Sequence, residues 1–281
     1  MSIVFRPMTE ADLEVADQIL MPAYSGRRRI DELQRYLSFQ PCNWQIAYLN
    51  DEPAGVGGYT MYDSFAYIAL IGVHPRFQQR GIATALMEEM LRDLYSRGCY
   101  VAVLDASSAS ERIYEQLGFV DDDKVLTYVQ DDCATRLRTP HSVQPLTSDD
   151  MAELVEFDAQ VFGAYRQDAI IDIAQRFGHR AFVSRDSQGA LTGYVFAQND
   201  TIGPWSATTQ SFAEDLLNVA LQLEFDGAPR VLAPSRNRQV GVLLMRYGFS
   251  PMRVMRHMRY GEQAVANMRH LYYGQLSFAI G

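Results

Sequence analysis

Between residues 66 and 105 the chain changes its hydrophobic period twice. The apolar run Ile68-Ala69-Leu70-Ile71-Gly72-Val73 comes first. Ile82, Leu86, Met90 and Leu94 then recur every fourth residue, with Met87 and Leu91 beside them and Glu88, Glu89, Arg92 and Asp93 on the other face. That period is the signature of an amphipathic helix. It predicts a helix over 81–97, with Gly98 as its C-terminal cap. The same reading of the first half predicts strands at 3–7, 44–49, 53–61, 66–73 and 100–105, and helices at 10–22, 28–38, 81–97 and 109–117.

The pattern then repeats weakly. Arg6-Pro7-Met8-Thr9-Glu10-Ala11-Asp12 returns as Gln144-Pro145-Leu146-Thr147-Ser148-Asp149-Asp150, an offset of 138. Gly26-Arg27-Arg28-Arg29-Ile30-Asp31 is echoed by Gly163-Ala164-Tyr165-Arg166-Gln167-Asp168 at 137, and Ala54-Gly55 by Thr192-Gly193 at 138. Ile71-Gly72 matches Ile202-Gly203 at 131, and Gly118-Phe119 matches Gly248-Phe249 at 130. Offsets that drift in order are what loop insertions and deletions produce. Two α/β domains are therefore expected, 1–135 and 143–281, joined by a linker over 136–142 that carries Thr139-Pro140. The apolar tail Leu271 to Ile280 is a further strand candidate, able to complete one of the sheets.

With 281 residues, 48% of them apolar, the chain can bury two cores. No run of 18 apolar residues and no basic-then-apolar leader is present, so neither a membrane span nor secretion is expected. Cys42, Cys99 and Cys133 are odd in number and widely spaced, which fits unpaired thiols and a cytoplasmic location. No cysteine or histidine pair has metal-ligand spacing, so no metal is expected. A net charge of −9 argues against a nucleic-acid partner and is compatible with a cationic substrate or with a plain solvated surface.

Chemistry concentrates where the apolar run meets the helix. Gln78-Gln79-Arg80-Gly81-Ile82-Ala83 places small residues at a helix start, where the first N–H groups lack intrahelical partners. Such a start is an anion site, suited to a pyrophosphate. Downstream stands Ile113-Tyr114-Glu115-Gln116-Leu117-Gly118-Phe119. Gln78-x-x-Gly81-x-Ala83 resembles the Q/R-x-x-G-x-G/A acyl-CoA loop of the GNAT superfamily of N-acyltransferases. The segment around Tyr114 is similar to that family's LYE-x-LGF element.

The resemblance implies a mixed sheet splayed at its centre, with two such domains in tandem, and acetyl-CoA as co-substrate for an amine acceptor. By that resemblance the backbone of Gln79, Arg80, Gly81, Ile82, Ala83 and Thr84 would bind pyrophosphate, with Gln78 in the loop and charge from Arg76 and Arg80. Ile71, Gly72 and Val73 would pair with pantetheine as an added strand, and the Val73 N–H would polarise the thioester carbonyl. Tyr114 would protonate the leaving thiolate. Cys99 reads as a small buried residue rather than a nucleophile. Where many relatives carry a glutamate base, this chain has Tyr67; Tyr67 through water, Asp63 or an acid of the second half remain open. Ser107 and Ser110 bond CoA or cap the Tyr114 helix. At offsets of 131 and 130 the second copy has Thr209, Phe212, Glu214 and Leu244 for Gln78, Gly81, Ala83 and Tyr114, which removes the acyl-CoA site there. The second half then walls the acceptor site or acts as scaffold, with Ser206-Ala207-Thr208-Thr209 and Ser235-Arg236-Asn237-Arg238 as candidate substrate contacts. The expected protein is an N-acetyltransferase, monomeric or homodimeric; a non-catalytic acyl-CoA sensor or interaction protein is the other reading.

Overall fold

The chain runs β1 (Ile3–Pro7), α1 (Leu13–Ala23), α2 (Ile30–Ser38), β2 (Cys42–Leu49), β3 (Glu52–Met61), β4 (Ala66–Val73), α3 (Ile82–Ser96), β5 (Ala102–Ala106) and α4 (Glu111–Gln116). It continues through β6 (Val120–Gln130), β7 (Val143–Pro145), α5 (Met151–Phe162), α6 (Gln167–Phe177), β8 (Ala181–Arg185), β9 (Leu191–Ala197) and β10 (Ile202–Ala207). The last elements are α7 (Gln210–Ala220), β11 (Arg230–Pro234), α8 (Val240–Arg246), β12 (Phe249–Tyr260) and β13 (Tyr272–Gly274). The structure, a computed structural model, describes residues 2–24, 26–131, 137, 138 and 140–281. Cys133 lies outside the described residues, as do residues 136 and 139 of the expected linker.

Every element expected in the first half is present, with ends within two residues of the sequence reading. The helix expected from residue 10 opens as a 3-10 turn, Glu10–Asp12, before α1. The cause is a capping box: Thr9 donates its backbone N–H and its hydroxyl to Asp12 Oδ2 at 2.9 and 2.8 Å. Thr147 and Asp150 rebuild the same box at 2.8 and 2.7 Å ahead of α5. The first echo in the sequence is thus a repeated helix start.

The chain divides into two compact units. The first holds residues 1–120 with 258–265 and 280; the second holds 121–257 with 266–279 and 281. In the first, the strands lie in the order β1-β2-β3-β4-β5. Neighbours from β1 to β4 are antiparallel and β5 is parallel to β4. The predicted stripe of α3 is the core of one layer: Ile82, Leu86, Met90 and Leu94 are buried with Tyr59, Ile68, Leu104 and Met258. On the other face α1 approaches β4 so closely that a Cβ at Gly72 would lie 2.5 Å from Leu20 Cδ2. Beside it Tyr36 of α2 stacks on Trp44 of β2 at 5.6 Å and 13°.

In the second unit β7, β8, β9 and β10 form an antiparallel run extended by β13. Strand β6 pairs with β11. Ala213, Leu216, Leu217 and Ala220 of α7 are buried against Trp205 and Val231. In each half a buried aspartate on the first helix holds the start of the second. Asp17 accepts from the Arg29 backbone N–H at 2.6 Å and from Arg28 Nε at 3.2 Å. Asp158 takes both Nε and Nη2 of Arg166 at 2.8 Å. These links fix helix geometry more than they add stability, since burying the ions costs what their attraction returns.

Gly58 of β3 lies under the Trp44 indole, and a Cβ there would come within 2.3 Å of ring carbon Cδ2. Gly58→Ala should therefore overpack this face and cost about 1–3 kcal/mol, read as a lower urea midpoint with an unchanged slope. An unchanged midpoint would mean that Trp44 does not cover the strand.

Candidate active site

Strands β4 and β5 start side by side and then part. Their pairing covers Ala66 with Ala102 and Tyr67 with Val103. Leu70 then takes φ +53°, and the register with β3 slips between Val56 and Gly58. A leucine in the left-handed region is strained, and such a bulge bends its strand. Beyond the bulge the His74 N–H donates to Ala54 O at 2.9 Å. Alternation along the strand then turns the backbone groups of Ile71 and Val73 away from β3, toward the parted side. The Ile71 carbonyl accepts from Tyr24 Oη at 3.0 Å and the Val73 carbonyl from Gln78 Nε2 at 3.1 Å. Side chains that an incoming amide can replace hold both carbonyls of this edge.

The edge runs into the loop. Residues 75–77 make one 3-10 turn, with His74 Nδ1 accepting from the Arg76 N–H at 3.3 Å. Gln79 at φ +61° and Gly81 at φ +76° are both left-handed. Gly81 is the N-cap of α3 and offers no side-chain cap, so the first N–H groups of α3 keep their positive end for an anion. Nothing lies within 4 Å of where a Gly81 Cβ would stand. Arg80 sits over the Phe77 ring at 5.7 Å, while Arg76 is paired with Glu52 at 2.8 Å. The residues quoted for acyl-CoA, Ile71, Gly72, Val73 and Gln78 through Thr84, therefore form one continuous edge, loop and helix start.

The other sequence candidates lie on or after β5. Tyr114 of α4 is 7% exposed, and its ring packs 5.8 Å from Phe119. Burial pushes its phenol up to about 12, with Ser110 opposing. Ser107 and Ser110 bond each other through their hydroxyls at 3.1 Å, and the Ser110 side chain makes no cap bond to α4. Cys99 is half-buried and donates Sγ–H to Val101 O at 3.4 Å; burial pushes its thiol up, away from nucleophilic use. Asp63 is exposed in the turn between β3 and β4. Tyr67 is 1% exposed and donates to Asp105 Oδ2 at 2.5 Å. Sequence reasoning passed over Asp105. The signal was its i+2 relation to Val103, the residue paired with Tyr67, which puts Asp105 on the Tyr67 face.

The second copy closes both halves of this arrangement. Helices α3 and α7 start at Ile82 and Gln210, an offset of 128 rather than 131. The equivalent of Gly81 is therefore Thr209, while the helix ends keep the offset of 130: the Leu117 N–H donates to Tyr114 O as the Tyr247 N–H does to Leu244 O, so Leu244 stands where the first half has Tyr114. Eight residues separate β4 from α3, but two separate β10 from α7. Thr209 Oγ1 accepts from the Phe212 N–H at 3.3 Å and so fills the helix start. Glu214 accepts from Tyr247 Oη at 2.9 Å and pairs with Arg246 at 3.2 Å. Leu243 and Leu244 are buried in the core. The parted edge of β10 is taken by the chain itself: Trp205 pairs with Gly274 and Ser206 with Tyr272 of β13. On its other side Gln275 N–H donates to Leu232 O of β11 at 2.8 Å. The tail therefore does complete a sheet. Ser235, Arg236 and Asn237, offered as substrate contacts, bond Asp123 at 2.7 Å, Asp122 at 3.0 Å and the Tyr272 carbonyl at 3.0 Å.

Among the described residues no group of three or more metal-binding side chains gathers, and no helix is long and apolar enough to cross a membrane. Residues 13–119 match the model of the acetyltransferase (GNAT) family, and 154–274 match that of an acetyltransferase (GNAT) domain. The holothin acyltransferase of Pseudoalteromonas sp. (strain SANK 73390) is 25% identical over 199 residues, covering 68% of this chain and 65% of that protein. Acetyltransferase ECA0875 of Pectobacterium atrosepticum is 34% identical over 93 residues, 31% of this chain and 64% of that protein. The matches thus span just under two thirds of these curated relatives. A crystal structure of a Pyrococcus horikoshii protein assigned as an acetyltransferase superposes with TM-score 0.82 at 27% identity, covering 99% of this chain and 96% of that one. A tandem GNAT protein from the clavulanic acid biosynthesis pathway superposes with TM-score 0.63 at 14% identity, over 94% and 100% of the two chains. Two GNAT models in succession, over 13–119 and 154–274, make this chain a tandem member of the GNAT family.

Proposed function

We propose that the chain transfers an acyl group, acetyl in the simplest case, from acyl-CoA to a primary amine, with one working site in residues 1–135. The observation that carries this reading is the open edge of β4 leading to an uncapped, glycine-started α3. Pantetheine amides take the place of Tyr24 and Gln78 on the Ile71 and Val73 carbonyls. Pyrophosphate lies on the N–H groups of Gln79, Arg80, Gly81, Ile82, Ala83 and Thr84, with Ser107 and Ser110 as hydroxyl partners of the cofactor arm. Residues 143–281 have no acyl-CoA site of their own and act as scaffold.

In this reading the amine attacks the thioester carbon directly. Negative charge develops on the carbonyl oxygen, and the Val73 N–H meets it; an oriented donor there is worth about 3 kcal/mol. Collapse breaks the C–S bond, the sulfur takes the phenolic proton of Tyr114, and the proton that nitrogen sheds as it becomes an amide restores the phenol. A phenol pushed up to about 12 keeps that proton throughout the neutral range and is in the donor form there. Release of free thiol from acetyl-CoA with a panel of primary amines tests the reading, and binding without release would identify an acyl-CoA sensor instead.

Gly81→Glu puts a carboxylate where the diphosphate lies and a side chain on a φ of +76°. Calorimetry should show one acetyl-CoA per chain for the parent and at least about 100-fold weaker binding for the variant, in line with lost and reversed charge at a helix start. Gly81→Ala, which adds the backbone strain without the charge, should keep most of the affinity. Equal affinity of parent and Gly81→Glu would remove the loop from the site.

Tyr114→Phe keeps the ring and removes the proton donor. Turnover should fall by about 100-fold or more, the size of a general-acid contribution, with acetyl-CoA affinity nearly unchanged. With the phenol held near 12, the parent should show no falling limb from this group below about pH 11. Full activity of the variant would reduce Tyr114 to a packing residue.

A further inference from the structure

A protonated amine cannot attack, and an ordinary alkyl amine with a pKa near 10 is about 99.9% protonated at pH 7. The strand position that would carry a carboxylate base holds Tyr67, and a phenol is no base at this pH. The geometry points to a relay in which Asp105 takes the acceptor's proton through the Tyr67 hydroxyl; this rests on the acyl-transfer reading above.

Four observations carry it. Tyr67 and Asp105 lie at the point where β4 and β5 stop pairing, Tyr67 in the last matched pair and Asp105 two residues beyond its partner Val103. They share the face opposite α3, because Ile68, Leu104 and Ala106 fill the α3 side. The Tyr67 hydroxyl already gives its hydrogen to Asp105 Oδ2 at 2.5 Å. Its oxygen is thereby turned into an acceptor for an N–H of an incoming ammonium. Thr60, the cross-strand partner of Tyr67, is 4% exposed, and its hydroxyl has no partner among the described residues. A buried hydroxyl in that state calls for a polar ligand group or water.

The step balances without any other reagent. Before nitrogen closes on the thioester carbon, one ammonium proton passes to Tyr67 Oη while the phenolic proton passes to Asp105 Oδ2, which frees the nitrogen lone pair; the second proton leaves nitrogen after attack and restores the phenol of Tyr114. Tyr67 ends as the phenol it began as, and Asp105 ends protonated. Asp105 is half-buried, so it returns the proton to water between turnovers. The other ionisable groups on the neighbouring elements are Glu14 and Asp17 on α1, both bonded by Arg28, Glu111, Arg112, Tyr114 and Glu115 on α4, Arg259 at the end of β12, and Arg29, Asp31, Glu32, Arg35 and Tyr36 on the α2 side, Arg29 and Glu32 being paired at 2.9 Å.

The experiment measures kcat/KM for thiol release from acetyl-CoA between pH 6 and 10, using spermidine, tyramine and alanyl-glycine as acceptors. In the parent the acidic limb should lie well below the acceptor's own pKa, because the ammonium form is used. In Asp105→Asn the limb should move up to the acceptor's pKa. The loss at pH 7 should be close to the fraction of amine that is neutral there, about 1000-fold for spermidine and tyramine and about 10-fold for the α-amine of alanyl-glycine, and should shrink to under about 5-fold at pH 10. Tyr67→Phe should behave alike, and the double variant should be no worse than either, as for residues that act as a unit. Acetyl-CoA affinity by calorimetry should stay within about 2-fold. A loss equal at all pH values would reduce the pair to a strand clamp, and a parent limb that tracks the acceptor's pKa would overturn the relay without any variant. If the parent releases no thiol with any amine, the acyl-transfer reading and the relay fall together.

Discussion

Two parallel strands that part after two matched residues leave a half-used strand edge, and the function of each half follows from what fills it. Backbone N–H and carbonyl groups cannot stay dry and unpaired; each one left so costs about 1–3 kcal/mol. In the second half the chain supplies the missing strand, β13, on Trp205 and Ser206. In the first half Tyr24 and Gln78 hold the Ile71 and Val73 carbonyls with single side-chain bonds. A covalently continuous strand stays in place. A phenol and an amide on the surface can yield to an extended ligand.

The helix that follows the parted strand obeys the same division. Both halves start a helix there, and a helix start needs acceptors for its first N–H groups. Thr209 brings its own oxygen, two residues after β10 ends. Gly81 brings none, and reaches its left-handed φ without the strain that a Cβ would add. The eight-residue loop ahead of α3 leaves room for a ligand between strand and helix; the two-residue connection in the second half leaves none. In the second half the loop is shorter, the helix start carries a capping side chain and the strand edge is occupied.

Much of this was legible in the sequence. The four-residue stripe of α3 and the position of Gly81 follow from local rules, and Thr9 with Asp12 announces a helix start by itself. The repeat was legible in its ends, where Thr147 and Asp150 copy that start. Its middle was misaligned by three residues, because Ile202-Gly203 imitates Ile71-Gly72 while lying at the start of its strand instead of near its end. Apolar strands carry too little individuality to reveal that a loop has shortened. Asp105 escaped for a different reason. Its partner is 38 residues away, and only the β4–β5 register brings the carboxylate to the Tyr67 hydroxyl.

Hydrogen–deuterium exchange with and without acetyl-CoA measures edge and helix start in both halves at once. The account expects acetyl-CoA to slow exchange across residues 71–73 and 79–84 and to leave 202–207 and 209–214 unchanged. Protection of the second set, or none in the first, would contradict it.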